Sequence, residues 1–241
     1  MILAGPPLPH TTRLVLFDID GTLLWSDGAG RRAITRALSE VFGETGQAEH
    51  RFDGKTDPQI VREMMRLAGR EDADIDERMT PLFDRYVACL EEELRDSTHH
   101  AKALPGVVEL LDVLSRRDDV VLGLLTGNLL QGARVKLCAV GIDPEIFKIG
   151  AFGSDHEHRP ELPAIAQRRA REVLGLDVPG HRVIVIGDTP ADVQCGRGIG
   201  ARAIGVATGR YGMNELLSHG AAAVFPDLTN TAVVVDAIVA P

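Results

Sequence analysis

The chain has 241 residues, of which 44% are hydrophobic and 25% are charged, and its net charge is −9 at pH 7. This composition is typical of a globular protein, and the length allows one large α/β domain with or without a smaller module. The acidic balance excludes an extended nucleic-acid surface, but it permits a small phosphate-bearing substrate bound by local positive charge.

The three cysteines predict a reducing compartment. Cys89, Cys138 and Cys195 are widely spaced and odd in number, which indicates buried thiols rather than a disulfide framework. Residues 1–12 lack the basic and apolar regions of a signal peptide, and no apolar run is long enough to span a bilayer. We therefore expect a cytoplasmic protein without a membrane partner, either a monomer or a homodimer.

A short apolar run, Leu14–Phe17, leads directly into Asp18 and Asp20. The run predicts a strand buried on both faces, so the aspartates lie at its carboxyl end, where open α/β sheets bind their ligands. Strand alternation directs both carboxylates to the same side, which is costly unless a cation or a reacting group uses them. The alternative is a strand that ends in ordinary solvated turn aspartates.

Residues 25–100 have a different pattern. Apolar residues follow helical spacing from Ile34 to Phe42, Thr56-Asp57-Pro58 is a helix-start signature, and a third helical pattern runs from Met79 to Leu94. No strand pattern interrupts them. This region is predicted to be an all-helical domain inserted after the first strand.

Strands and helices alternate from residue 101 to the end of the chain. Predicted strands at Val120–Leu125, Val183–Ile186 and Ala201–Val206 are separated by helical patterns. This alternation predicts a doubly wound, mostly parallel sheet of the Rossmann-like α/β class. Residues 1–24 and 101–241 would form this core, and residues 25–100 would form a helical cap domain.

Two further strand ends carry residues suited to phosphate chemistry. Thr126, Gly127 and Asn128 lie at a predicted helix start, where free N–H groups favour an anion. Asp188 ends the next buried strand, and Asp192 follows near the start of a helix. Each feature alone is also explained by turn formation or helix capping. Three such ends in one sheet favour a common site.

These residues resemble the signature motifs of the haloacid dehalogenase-like hydrolase superfamily. The matching segments are Asp18-Ile19-Asp20-Gly21-Thr22, the strand ending in Thr126, and Gly187-Asp188-Thr189-Pro190-Ala191-Asp192. Their order and spacing agree over essentially the whole chain. The helical insertion and the segment 52–60 are similar to the cap of the phosphoglycolate phosphatase-like branch.

The resemblance implies a phosphomonoester hydrolase that acts through an aspartyl-phosphate. Asp18 would be the nucleophile and Asp20 the general acid and then base. Mg²⁺ would be held by Asp18, the backbone carbonyl of Asp20 and Asp188, with support from Asp192. The residues that would hold the phosphate oxygens are Thr126, Gly127 and Asn128.

One departure from the family pattern concerns the lysine that normally bridges nucleophile and phosphate. No lysine follows Lys148 in this chain. Arg159 is the natural replacement, because it keeps the charge and can bind phosphate through two nitrogens. The alternative is that Arg159 is a surface cation and that the position is unfilled.

The expected substrate is a small anionic phosphorylated metabolite, with phosphoglycolate as the best single candidate. Lys55 is a candidate contact for its anionic tail, although a solvated loop charge is also a valid interpretation. Trp25 either lines the pocket or packs in the core. A phosphomutase, a phosphonate hydrolase and a phospho-accepting signalling module are alternatives on the same core. Asp20 argues against a dehalogenase, and with the helical insertion it argues against the signalling module.

Overall fold

The computed structural model describes residues 11–96 and 100–240. Most of the N-terminal segment 1–12, which was considered above for a signal peptide, lies outside these ranges. The strands are β1 (Arg13–Phe17), β2 (Leu24–Trp25), β3 (Lys102–Ala103), β4 (Val120–Thr126), β5 (Ile149–Phe152), β6 (Val183–Gly187), β7 (Arg202–Val206) and β8 (Ala223–Phe225).

Six strands form one parallel sheet in the order β5-β4-β1-β6-β7-β8. The central strand β1 pairs with β4 on one side and β6 on the other. The helices are α1 (Ala29–Phe42), α2 (Asp57–Leu67), α3 (Asp72–Arg95), α4 (Val107–Ser115), α5 (Leu130–Ala139), α6 (Leu162–Leu174), α7 (Pro190–Cys195), α8 (Met213–Ser218) and α9 (Thr231–Val239). The predicted α/β Rossmann-like class is confirmed.

Alternate residues of β1 supply the hydrophobic layers on the two faces of the sheet. Val15 and Phe17 pack in a cluster that includes residues of α4 and α9, whereas Leu14 and Leu16 pack in a cluster that includes residues of α6. Every residue of β4 and β6 is buried. This burial on both faces explains why these strands appear in the sequence as continuous apolar runs.

Helices α1, α2 and α3 form a separate hydrophobic cluster. Its buried members include Ile34, Met64 and Tyr86, and Leu129 at the start of α5 joins it. Thr56 caps α2 by accepting a hydrogen bond from the backbone N–H of Gln59 at 3.2 Å. The helical insertion therefore has its own hydrophobic core. It packs against the sheet domain at α5. The domain boundaries at residues 24, 25, 100 and 101 stay a prediction.

The sequence interpretation missed two features of the fold. Strands β2 and β3 pair antiparallel at the two junctions of the helical insertion. Two-residue strands are too short to show a periodic pattern. Helix α8 was also missed, because Leu216 is its one buried residue and a single apolar position gives no helical period.

The expectation of buried cysteines is wrong at one position. Cys89 and Cys195 are buried, but Cys138 is exposed near the end of α5. The neighbouring Leu137 takes the buried position of that helix turn, so Cys138 lies on the opposite, solvent-facing side. In the described part of the chain, no helix is both long and apolar enough to cross a membrane.

Candidate active site

Three adjacent parallel strands deliver polar residues to one edge of the sheet. Asp18 follows β1, Thr126 ends β4, and Asp188 follows β6. The registers pair Phe17, the last residue of β1, with Leu124 and with Ile186, so the three strands end within two residues of one another. This is the edge where open α/β sheets bind ligands.

Asp18, Asp188 and Asp192 form an acidic cluster whose carboxylate oxygens lie within 4.8 Å of one another. All three side chains are buried. Burial, opposed by the Arg159 guanidinium, raises the pKa of Asp18 to about 6. Burial, together with the nearby charges of Asp192 and Asp18, raises the pKa of Asp188 well above its ordinary value. These clustered oxygen donors suit a hard divalent cation, which would offset their repulsion.

Arg159 lies inside this site rather than on the surface. Its side chain is buried, and its Nη2 atom is 2.9 Å from Oδ1 of Asp18 and also contacts Oδ1 of Asp192. The 3₁₀ turn Arg159–Glu161, directly before α6, carries it there. The structure thus places Arg159 beside Asp18, the predicted nucleophile, where a replacement for the family lysine is expected. Its catalytic role stays a prediction.

Asp192 caps a helix and also contacts the site. Its Oδ2 atom accepts a hydrogen bond from the backbone N–H of Thr189 at 3.0 Å, and its own backbone N–H donates to the Thr189 hydroxyl oxygen at 3.2 Å, which together form a capping box at the start of α7. Its Oδ1 atom contacts Arg159. The two explanations considered from the sequence, capping and a supporting role at the site, therefore describe the two oxygens of one carboxylate.

Two glycines leave the space that the Asp188 carboxylate occupies. A Cβ atom at Gly21 would lie 2.4 Å from Oδ2 of Asp188, and one at Gly209 would lie 1.8 Å from the same atom. The Thr22 hydroxyl donates to Oδ1 of Asp188 at 3.2 Å. Gly209 follows β7 in a loop that the sequence analysis did not select. The position of Asp188 therefore depends on two loops as well as on its own strand.

The loop after β4 places Thr126, Gly127 and Asn128 beside the acidic cluster. The Thr126 hydroxyl oxygen accepts a hydrogen bond from the Asn128 side-chain amide at 2.8 Å. A Cβ atom at Gly127 would lie 2.0 Å from the backbone oxygen of Lys55. Gly127 is therefore needed for the close approach of the helical insertion to this loop.

Asp20 lies next to a lysine that the sequence analysis did not identify. The ammonium of Lys136, on α5, is 2.5 Å from Oδ2 of Asp20 and 2.6 Å from Oδ1 of Asn128. We call Asp20, Asn128 and Lys136 the lysine cluster. Partial burial raises the pKa of Asp20, but the Lys136 ammonium and the hydrogen bonds outweigh it, so this pKa lies below its ordinary value. The signal in the sequence that could have identified this lysine was its position between two apolar residues, Val135 and Leu137.

A cavity of about 520 Å³ lies between the sheet edge and the helical insertion. This volume is within the range of about 300–1,000 Å³ that is common for small-molecule sites. Its lining includes Asp18, Asp20 and Thr126 from the core side and Arg31 and Lys55 from the insertion side. The carboxyl edge of the sheet thus forms one wall of the cavity, and the helical insertion forms the other.

Lys55 and Trp25 both line this cavity. The Lys55 ammonium contacts the Glu63 carboxylate and lies 3.3 Å from Nε2 of His50, so its charge is already partly balanced. Its contact with a substrate tail stays a prediction. Trp25 is 51% exposed, so of the two options the structure favours the pocket over core packing.

Comparison with known proteins agrees with this geometry. The family model for haloacid dehalogenase-like hydrolase matches residues 15–197. The chain belongs to this family, as the motifs at Asp18, Thr126 and Asp188 indicated.

Its relatives include enzymes that act on phosphate esters. The chain is 26% identical over 220 residues to a phosphoglycolate phosphatase from Rhodospirillum rubrum, which covers 90% of this chain and 88% of the relative. It is 25% identical over 217 residues to glycerol-1-phosphate phosphohydrolase 1 from Saccharomyces cerevisiae, covering 86% and 80% of the two chains. The predicted class, a phosphatase-like enzyme of this family, is confirmed.

Solved structures show the same fold. A hydrolase from Pseudomonas syringae superimposes with a TM-score of 0.70 at 25% identity, covering 94% of this chain and 99% of the other. CbbY from Rhodobacter sphaeroides in complex with phosphate gives a TM-score of 0.67 at 23% identity, covering 90% and 95%. The fold therefore agrees along nearly the full length of both chains.

Proposed function

We propose that this chain is a Mg²⁺-dependent phosphomonoester hydrolase of small anionic phosphometabolites and that it works through an aspartyl-phosphate on Asp18. The observation that carries the proposal is the convergence of Asp18, Asp188, Arg159 and Thr126 at one sheet edge that faces a cavity. Nucleophile, cation ligands and phosphate donors are the parts that phosphoryl transfer to a carboxylate requires.

The acidic cluster supports the choice of Mg²⁺. Asp18, Asp188 and the backbone carbonyl of Asp20 would hold the ion. Asp192 would support these ligands of the ion through its contacts with Arg159 and Thr189. Carboxylate oxygens with a substrate phosphate are the ligands that Mg²⁺ prefers. When bound, the ion supplies positive charge that offsets the carboxylates and the transferring phosphoryl group.

Asp18 and Asp20 would divide the reaction between them. In the first step Asp18 forms a bond to phosphorus while the bond to the leaving oxygen breaks. Asp20, whose lowered pKa favours the ionised form in the free site, must take up a proton with the substrate bound and gives it to that oxygen. In the second step Asp20 takes a proton from water, whose oxygen attacks phosphorus and releases phosphate from Asp18. Both residues are then returned to their starting states.

Arg159 and the loop after β4 would hold the phosphoryl oxygens. Within the described residues, Nε of Arg159 is buried without a hydrogen-bond partner, so the guanidinium keeps a donor that its contacts with Asp18 and Asp192 do not use. Thr126 and the Gly127 and Asn128 amides face the same edge. Donors fixed in this way favour the transition state because they need no rearrangement.

The helical insertion, residues 25–100, would act as a cap that supplies substrate contacts. The cavity is lined from the insertion by Lys55 and Arg31, and from the junction of the insertion with the core by Trp25. A substrate with an anionic tail suits this wall, and phosphoglycolate is the specific candidate, consistent with the phosphoglycolate phosphatases among the relatives. Closure over such a tail would exclude bulk water.

The test is steady-state hydrolysis of p-nitrophenyl phosphate and 2-phosphoglycolate with Mg²⁺ and with chelator. We expect many turnovers per enzyme with Mg²⁺, loss of activity with chelator, and loss of activity in Asp18→Asn. A single stoichiometric phosphorylation without turnover would instead support a phospho-accepting module. Asp118→Asn, at an exposed position, is the control that should keep full activity.

A further inference from the structure

Lys136 has an unusual position for a lysine. It lies in the last turn of α5, its side chain is 5% exposed, and it lines the cavity. Burying an ammonium group is costly unless it is paired. Its two partners, Asp20 and Asn128, belong to the proposed acid/base and to the proposed phosphate loop. The location therefore has a consequence for the reaction as well as for stability.

The contacts of Lys136 close a ring of hydrogen bonds. Lys136 donates to Oδ2 of Asp20 and to Oδ1 of Asn128, and the side-chain amide of Asn128 donates to the same Oδ2 at 2.8 Å. Two donors on one oxygen fix the rotation of the Asp20 carboxylate. The ring also holds Asp20 at a set position relative to the loop that carries Thr126.

The other oxygen of Asp20 has a different environment. Oδ1 contacts only a hydroxyl in the described structure, that of Ser26, at 3.2 Å. A hydroxyl can either donate or accept, so it is compatible with both protonation states of Oδ1. The side chain of Asp20 is 41% exposed and lines the cavity, so this carboxylate is accessible to a bound substrate.

The insertion covers the remaining side of Lys136. A Cβ atom at Gly30, in the first turn of α1, would lie 3.3 Å from the Lys136 ammonium and 3.8 Å from the Tyr86 hydroxyl. The missing side chain at Gly30 thus leaves room for the buried ammonium beside the insertion. The arrangement is therefore a built contact among three elements rather than a chance surface ion pair.

We propose that Lys136 is a positioning residue that fixes Oδ2 of Asp20 so that Oδ1 is the oxygen that exchanges the proton with the leaving group and with water. The inference rests on the proposed function, because it assumes that Asp20 is the acid/base. Proton transfer requires hydrogen-bond reach of about 2.6–3.2 Å, so a freely rotating carboxylate would be inefficient. Lys136 itself touches neither the phosphorus nor the leaving oxygen in this scheme.

The experiment compares two leaving groups in Lys136→Met, Lys136→Gln and Asp20→Asn. The parameter is kcat/KM, which covers the steps up to release of the leaving group. Nitrophenolate leaves p-nitrophenyl phosphate without needing a proton, whereas the alkoxide of 2-phosphoglycolate needs one. General acid catalysis contributes about 10²–10⁴-fold, so Asp20→Asn should lose that much on the alkyl ester and far less on the aryl ester.

Lys136→Met should show the same selective loss, of about 10²-fold on 2-phosphoglycolate and less than about 10-fold on p-nitrophenyl phosphate. Lys136→Gln keeps a donor for Oδ2 and should recover part of the alkyl activity. If Lys136→Met does not fold, the kcat/KM values of Lys136→Gln on the two esters provide the test. An equal loss on both esters, or no loss, in folded Lys136 variants would overturn the proposal.

The proposed function fails in a distinguishable way. If wild type does not turn over either ester, or if Asp20→Asn shows no leaving-group selectivity, then Asp20 is not the acid/base and the fault lies in the proposed function. If Asp20→Asn is selective and Lys136→Met is not, only the role of Lys136 is wrong. Circular dichroism of each variant separates loss of fold from loss of positioning.

Discussion

The acidic cluster and the lysine cluster lie side by side at one sheet edge, but their charges are arranged differently. In the acidic cluster three buried carboxylates lie beside a single guanidinium, that of Arg159, which contacts Asp18 and Asp192. In the lysine cluster one carboxylate, that of Asp20, is matched by one ammonium. The first therefore has a deficit of positive charge, and the second is balanced.

This difference is reflected in the pKa values. Burial raises the pKa of Asp18 to about 6, whereas Lys136 brings the pKa of the partly exposed Asp20 below its ordinary value. A site with unbalanced carboxylates favours binding of a cation. A balanced pair favours a fixed orientation instead. We therefore expect cation binding around Asp18 and a fixed carboxylate orientation at Asp20, two residues later in the chain.

The most severe test of this contrast is removal of the one guanidinium in the acidic cluster. Arg159→Ala leaves Asp18 and Asp192 without their shared partner, and we expect kcat/KM to fall about 10²–10³-fold because a fixed donor to the phosphate is lost. Breaking a buried ion pair should also lower the free energy of unfolding by about 3–5 kcal/mol. Steady-state kinetics and urea unfolding measure the two effects.

The matched control for this change is Arg159→Lys, which keeps the charge but loses the second donor. It should retain more activity and more stability than the alanine variant. Near-normal turnover by Arg159→Ala would show that Arg159 does not replace the family lysine.

Asp57 tests the balance of the lysine cluster. Its carboxylate accepts hydrogen bonds from the Leu129 backbone N–H, at 2.9 Å, and from the Tyr86 hydroxyl. Burial, opposed by Lys136, raises the pKa of Asp57 from 3.8 to about 6. Lys136 can neutralise only one carboxylate fully, and Asp20 is the closer partner.

The folded state therefore holds a proton on Asp57 more tightly than the unfolded state does. As pH rises from about 4 to about 6, the free energy of unfolding should fall by up to about 3 kcal/mol from this group. Asp57→Asn removes the titration, so the difference in stability between wild type and variant should change by that amount between pH 4 and pH 7. Urea unfolding at both pH values measures it.

Asp118→Asn, at an exposed position, is the control and should follow the wild-type pH dependence. A constant stability difference between wild type and Asp57→Asn across this range would contradict the assignment. It would mean that Asp57 titrates alike in the folded and unfolded states.

Gly209 tests the acidic cluster without changing any of its ligands. Because a Cβ atom there would lie 1.8 Å from Oδ2 of Asp188, Gly209→Ala should displace that carboxylate. Changes of this kind behind a metal ligand cost about 10–100-fold in metal affinity. The Mg²⁺ dependence of activity and direct Mg²⁺ titration by calorimetry measure the loss.

Gly212→Ala is the matched control, because nothing lies within 4 Å of a Cβ atom at that position. It should bind Mg²⁺ as wild type does. Equal Mg²⁺ affinity in the two alanine variants would indicate that Asp188 is not a ligand.

The two clusters also differ in how far the sequence predicts them. Asp18, Thr126 and Asp188 each follow or end a buried strand, and neighbouring parallel strands place such ends together whatever the loops do. The parallel sheet and the helical insertion were predicted from the same periodic patterns. The acidic cluster was therefore accessible from local pattern and topology alone.

The lysine cluster was not accessible in this way. Lys136 lies in the last turn of a helix, and only the packing of α5 beside the loop after β1 brings it to Asp20. Gly209 likewise reaches Asp188 through a loop with no periodic signal. Neither contact follows from a period or a strand end, because side-chain reach across two elements depends on their packing.

The smallest expected effect is on stability, and it comes from an ion pair between the helical insertion and the core. Nε of Arg62, on α2, is 2.8 Å from Oε2 of Glu157, which lies two residues before Arg159. The pair thus connects the helix that begins at Asp57 with the segment that carries the guanidinium of the acidic cluster. Their side chains are 17% and 25% exposed, so solvent screens the interaction only in part.

A double-mutant cycle on Arg62→Ala and Glu157→Ala should give a coupling free energy of about 0.5–1 kcal/mol. The value is small because Arg62 also pairs with Asp76 at 2.7 Å and keeps that partner when Glu157 is removed. The more exposed pair Arg66–Asp72, which lies wholly within the insertion, is the control and should couple less. Urea unfolding gives both cycles. A coupling for Arg62–Glu157 no larger than the control would mean that this ion pair does not hold the insertion against the sheet edge.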